Sequence, residues 1–190
     1  MAKRAPWRWA RLCTQAAGLV AAVGVVFLGG MFVAFAVGAT PVAMTLGRIN
    51  DVLIMIAYPL AIPGLLGLWW LTRGQAPVRS SLAAILGIVS IGAIAGLQAL
   101  LVREVLTFSE QVGPVTLALL GFGTSLVLLG AAGRSGGHLP GGVRMGLAGA
   151  TYVGFPLWAR WAARELGRAG AGALDTTVAR PGRSAPSPST

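Results

Sequence analysis

Few side chains in this sequence could do chemistry, and most of them gather in two short stretches. Arg48, Asn50 and Asp51 lie within four positions of "LGRINDVLIMIAYPL", and Asn50 is the chain's sole asparagine. Arg103, Glu104 and Glu110 lie in "LVREVLTFSE". Carboxylates beside arginines can close an ion pair or hold a polar solute. Gln98 and Tyr58 add hydrogen-bonding groups inside otherwise apolar runs. A catalytic set does not assemble from these types. Cys13 is the sole cysteine and His138 the sole histidine, so no intrachain disulfide, Cys/His zinc site or bis-histidine haem can form. No Ser/His/Asp or Cys/His set exists, nor a pair of catalytic carboxylates. The glycines of "GRSGGHLPGG" lack the Gly-Lys-Ser/Thr of a phosphate-binding loop. No enzyme activity, metal or cofactor is expected.

The elements that must position these residues are apolar helices. The chain is 55% hydrophobic and only 11% charged, where a soluble domain carries about 25% charged residues. Its mean hydropathy is +0.76. Crossing a bilayer core takes about 20 apolar residues in a helix. Four runs meet that, at residues 12–39, 52–71, 81–102 and 114–132, none with an internal charge. A cleavable signal peptide is the rival reading of the first run, but its apolar stretch exceeds the about 7–15 residues of a signal core. A fifth segment, residues 145–159, is short, carries Pro156 and is bounded by Arg144 and Arg160. It reads as a short span with snorkelling arginines or as an interfacial helix, with Arg160, Arg164 and Arg168 on one stripe facing anionic headgroups. The expected fold is all-α: a polytopic membrane bundle of five helices over residues 12–168. A basic N-terminus (1–11) precedes it, and a disordered Ala/Gly/Pro/Ser-rich tail (169–190) follows.

The net charge of +10 does not point to nucleic acid, because the basic residues sit between apolar runs, as topology signals do. Fourteen of the 15 are arginines, a composition that suggests a bacterial source. With four spans and both termini inside, 13 of the 15 basic residues fall on the cytoplasmic side. If the fifth segment spans, the split drops to 8 against 7 and the bias vanishes. Both arrangements place the N-terminus in the cytoplasm. Trp7, Trp9, Trp69 and Trp70 mark the inner interface, and Trp158 with Trp161 would join them.

Membrane helices associate through small residues and hydrogen bonds. In the third run, Gly92, Gly96 and Ala99 form one small-residue face; Ala83, Gly87 and Ser90 form the opposite one. Contact on two sides is expected there. Gly142 and Gly146 repeat the spacing near a loop and carry little weight. Pro59 and Pro63 predict a kink in the second run.

Asp51 and Arg103 lie equally far from the loop centred on residues 76–77. Antiparallel helices rise equally per residue, so the two should share one outer level and pair. The plain reading is that Asn50 caps the second helix, Asp51 complements its dipole and Arg103 and Glu104 mark where the third helix leaves the lipid. The functional reading is a polar ligand site of Asp51, Arg103, Gln98, Tyr58, Glu104 and Arg48.

At "GRINDVL", "LQALLVREVLTF" and "YVGFPLWARWAARELG" the chain resembles small bacterial membrane bundles of the DUF4386 type, over about residues 12–168. The resemblance implies a final helix that truly spans, with Pro156, Trp158 and Arg160 as its matching end. It implies no activity, substrate or catalytic residue. The expectation is therefore a non-enzymatic membrane protein of accessory, sensor or envelope role. Its partners would be membrane lipids, including anionic headgroups at the basic face, and another copy or a membrane protein. The alternative is a carrier or binding protein for a small or lipidic ligand between the second and third helices.

Overall fold

The computed structural model describes residues 5–135, 142–149 and 154–178. Those residues are all-helical, without strands. The six helices are α1 (Ala5–Ala36), α2 (Thr40–Thr72), α3 (Pro77–Val102), α4 (Phe108–Ser135), α5 (Gly142–Gly149) and α6 (Phe155–Val178). The first four are long and apolar enough to cross a membrane, so this is a multi-pass membrane bundle. His138 and residues 179–190 of the expected tail lie outside the described residues, and the part of that tail up to Val178 is helical.

Successive spans run antiparallel. Charges bracket three of them: residues 52–72, 80–102 and 111–133 are free of Asp, Glu, Lys and Arg. At 1.5 Å per residue those stretches cover about 32–35 Å, one hydrocarbon core. The helices themselves are longer. Pro114 was expected near the start of the fourth helix but lies inside α4. That helix begins instead at a capping box, in which the Thr107 backbone N–H and hydroxyl donate to Glu110 Oε2 at 2.8 and 2.6 Å. α2 begins at Thr40 and runs on through Pro59 and Pro63. Asn50 and Asp51 are thus interior residues of α2, and the capping role expected of them is wrong. Pro41, in the first turn, starts that helix instead.

Small residues set the helix spacing. Thr14 on α1 sits directly over Gly64 of α2, where a Cβ would strike its side chain. Its hydroxyl donates to the Ala10 carbonyl at 2.7 Å. In α3 the two expected small-residue faces behave differently. A Cβ on Gly87 would lie 2.6 Å from Leu65 and 2.7 Å from Ser125, and Ala83 is fully buried. Gly92 and Gly96 have nothing within 4 Å of such a Cβ, and Ala99 is half-buried. Contact on both sides of α3 therefore fails: the Gly92–Gly96 face is open.

The expected fifth helix is two helices, and neither is among those long and apolar enough to cross. Gly142 and Gly146 of α5 lie against Gly130 and Leu126 of α4, so α5 climbs antiparallel to it. α6 then descends antiparallel to α1: Ala159 meets Gly18, Gly167 meets Arg11 and Gly170 meets Trp7. Leu166 packs on Gly67 of α2. The start of α6 is fixed at mid-depth by four rings. Tyr58 stacks on Phe155 at 5.2 Å, Phe155 on Trp158 at 5.5 Å, and Phe122 lies 5.4 Å from Tyr58. Trp158 is 1% exposed, a core residue and not the interfacial one expected. Pro156 occupies the first turn of α6 and kinks nothing. α5 and α6 form a half-depth pair that enters and leaves by the face where α1 begins, called here the N-terminal face; the opposite face is distal.

The α4–α5 seam gives a paired expectation. A Cβ on Gly146 would stand 2.7 Å from the Leu126 carbonyl oxygen and 2.9 Å from Val127 Cα, backbone that cannot step aside. Gly146→Ala should cost about 2 kcal/mol. Gly92→Ala and Gly96→Ala should leave stability unchanged or raise it by up to ~1 kcal/mol through helix propensity. Thermal unfolding of the three variants in detergent measures the contrast.

Candidate functional site

At the distal end, each core-facing stripe of the α2–α4 group ends in a polar side chain. On α2 the stripe through Trp69, Leu65 and Tyr58 ends at Asp51. On α3 the stripe through Gly87, Ile91 and Ile94 ends at Gln98, 5% exposed. On α4 the stripe through Leu129, Ser125 and Phe122 ends at Gln111, 2% exposed. Equal rise on antiparallel helices puts these three within about one turn of the same level. Asn50 is buried beside them on the α1 side of α2.

The electrostatics of this end are only partly settled by internal partners. Gln98 Oε1 and Gln111 Nε2 are enclosed and make no hydrogen bond among the described residues. A buried amide group left this way costs about 1–3 kcal/mol. Asp51 is half-buried, and no ion pair with Arg103 forms. The shared level was read correctly, but Arg103 turns outward with the open Gly92–Gly96 face. The distal ion pair is instead Arg48 with Glu104. Their side chains are 67% and 68% exposed, so it clasps α2 to the α3 terminus at a worth below about 1 kcal/mol.

The backbone explains why Glu104 is in reach. α3 ends in a Schellman arrangement: Glu104 N–H donates to the Leu101 carbonyl and Val105 N–H to the Leu100 carbonyl, both at 2.9 Å. The turn residue sits at φ 60°, and it is a glutamate. The α1–α2 turn uses the same motif with Gly38 at φ 76°. A non-glycine residue in this region costs about 1 kcal/mol or more.

Of the sequence-predicted ligand set, the structure brings Asp51 and Gln98 to one level and pairs Arg48 with Glu104. It leaves Arg103 outside and moves Tyr58 into the mid-depth ring cluster. Gln111 was missed. It stands three residues before Pro114, and a helix begun at Pro114 excludes it; the Thr107–Glu110 capping pattern was the signal that could have placed it. No group of three metal-ligating side chains occurs among the described residues. Two hollows, of about 280 and 270 Å3, are open grooves on the outer half of α2, one lined by Pro41, Val42, Thr45 and Leu46 and the other by Arg48, Ile49, Val52 and Leu53. The chain matches no protein-family model, no curated protein and no solved structure.

Double-mutant cycles separate the two candidate pairs. Arg48→Gln with Glu104→Gln should couple by up to ~1 kcal/mol. Asp51→Ala with Arg103→Ala should be additive within about 0.3–0.5 kcal/mol. Chemical denaturation in detergent measures both.

Proposed function

We propose that this chain is a non-enzymatic integral membrane protein of accessory, sensor or envelope role, acting through helix packing and its polar distal end. The observation that carries this reading is the distal end itself. The buried stripes of three spans terminate there in Asp51, Gln98 and Gln111, beneath an exposed Arg48–Glu104 clasp. The membrane is proposed to be the bacterial cytoplasmic membrane, with the N-terminus inside. A half-depth α5–α6 pair supports that orientation, since it returns Arg160, Arg164 and Arg168 to the side of Arg11, Arg73 and Arg79 and keeps the basic bias. The open Gly92–Gly96 face of α3 is the surface proposed for a second copy or another membrane protein.

The second reading is a carrier or binding protein for a small or lipidic ligand between α2 and α3. It is favoured by the unpartnered Gln98 Oε1, an acceptor, and Gln111 Nε2, a donor, near the level of Asp51, which could receive one polar group from the distal side. Tyr58 and Arg103 no longer belong to that site.

Leucine at positions 98 and 111 tests both readings. In the packing reading, Gln98→Leu and Gln111→Leu each raise thermal stability, by about 1 kcal/mol, because a buried unpaired amide is removed. Small amines, sugars and short-chain lipids should then shift the melting temperature of wild type and variants alike. A saturable shift in wild type that Gln98→Leu removes would favour the carrier. A reporter fused after Arg168 should give a cytoplasmic signal; a periplasmic one would mean that the last segment crosses or that the whole bundle is inverted.

A further inference from the structure

The three bracketed spans carry no charge within the hydrocarbon depth, whereas the half-depth pair carries four arginines there. Arg144, Arg160 and Arg164 are exposed, and the Arg168 side chain is 71% exposed. Leu166 packs level with Gly67, six residues from Arg73. Counting along α6 at 1.5 Å per residue places Arg168, Arg164 and Arg160 about 6, 12 and 18 Å inward of Arg73. The deepest is near the bilayer middle. Arg73 itself caps the interface by lying over the Trp70 ring, 3.2 Å from its centroid.

Arg168 is neutralised by Glu165, at 2.7 Å. Arg160 and Arg164 make no ion pair among the described residues. An unpaired arginine facing hydrocarbon at this depth costs at least about 2.5–3.5 kcal/mol. Snorkelling is awkward here. α6 begins deep and ends at the interface, and helical side chains lean towards the helix N-terminus, which for α6 is away from the headgroups. The charge that reaches these guanidiniums must therefore come to them. The membrane component that can bring such a charge in from the headgroup level, with apolar chains to meet Leu157 (61% exposed), is a phospholipid.

We infer that the outer face of α6 is a phospholipid site, in which Arg160 and Arg164 bind the phosphate of an anionic lipid drawn inward from the leaflet of the N-terminal face. The planar guanidinium suits it, since it offers a fork of donors to phosphate oxygens and cannot lose its charge. Arginines at i and i+4 can share one headgroup. The inference rests on the membrane reading above, and it adds a lipid class and the residues that hold it.

The test uses the full chain in detergent micelles with short-chain phosphatidylglycerol, short-chain phosphatidylcholine or inorganic phosphate, read as bound lipid by native mass spectrometry. Wild type should prefer phosphatidylglycerol about tenfold. Arg160→Gln/Arg164→Gln should lose most of that preference, and Arg160→Lys/Arg164→Lys should recover part of it. Arg8→Gln/Arg134→Gln removes the same charge elsewhere on the N-terminal face and should keep it. An equal loss in both glutamine variants would mean diffuse attraction and would overturn the site, as would no preference in wild type. Competition by millimolar inorganic phosphate would assign a free anion and overturn the lipid. An independent arm checks the membrane reading. In a Cys13→Ser background, Ala171→Cys and Arg79→Cys should label from the same side of sealed vesicles; labelling from opposite sides would sink the half-depth arrangement itself, whatever the lipid result.

Discussion

The fold depends on burying the start of a helix, α6, at mid-membrane. Inside hydrocarbon, backbone polar groups find no water, so a helix can start there only where protein surrounds it. The start of α6 meets that demand. Phe155 and Trp158 are sealed against Tyr58 of α2 and Phe122 of α4, and Trp158 N–H donates to the Gly154 carbonyl at 3.1 Å. The space for α6 is made by glycines on the other helices: Gly18 on α1 under Ala159, Gly67 on α2 under Leu166 and Gly149 on α5 under Trp158. Without those absent side chains the rings could not converge, and α6 would be left at the surface.

The distal end is built on a different principle. It is held by local backbone chemistry: a Schellman turn at Gly38, another at Glu104 and a capping box at Thr107–Glu110. Local motifs of this kind leave the side chains at the helix ends free to be polar. The α1–α2 turn also overshoots the α3–α4 turn by about 15 Å at helical rise. Phe32, Val33, Val37 and Val42 are exposed on that extension. The Arg48–Glu104 clasp therefore lies beside the overshooting hairpin and not at its tip.

How much of this was legible in the sequence depended on what each signal reports. Four spans follow from apolar runs, because hydropathy reads the solvent directly. Their ends do not, because α2 outlasts the hydrocarbon by about a dozen residues, and a helix in protein contact needs no lipid. That is why Asn50 and Asp51 look like caps in the sequence and are interior residues. Glycine pairs were equally ambiguous. Spacing cannot tell Gly92–Gly96, which face out, from Gly142–Gly146, which carry the closest helix seam; the difference lies in which partner helix arrives. The fifth segment had two signals in conflict, the arginine bias against a crossing and the Pro156–Trp158 pattern for one. The half-depth pair follows the first and not the second: it returns the arginines to the side they left, and Trp158 goes into the core instead of ending a span. The level shared by Asp51 and Arg103 was correct arithmetic. Rise per residue fixes depth, however, and says nothing of rotation, so Arg103 faces outward while Glu104 reaches Arg48.

Stability alone does not account for the distal end. Replacing Gln98 and Gln111 by aliphatic residues would remove two enclosed, unpartnered atoms worth about 1–3 kcal/mol each. A glycine at position 104 would remove a strained turn residue worth about 1 kcal/mol. Against those costs the exposed clasp returns less than about 1 kcal/mol. The sum favours a more apolar end with a glycine turn, like the one already used at Gly38. Sites where local rules are broken without a compensating gain are where a role other than folding is to be sought. By that argument the polar ends of α2, α3 and α4, rather than the better-packed ring cluster below them, are the residues that folding alone does not explain.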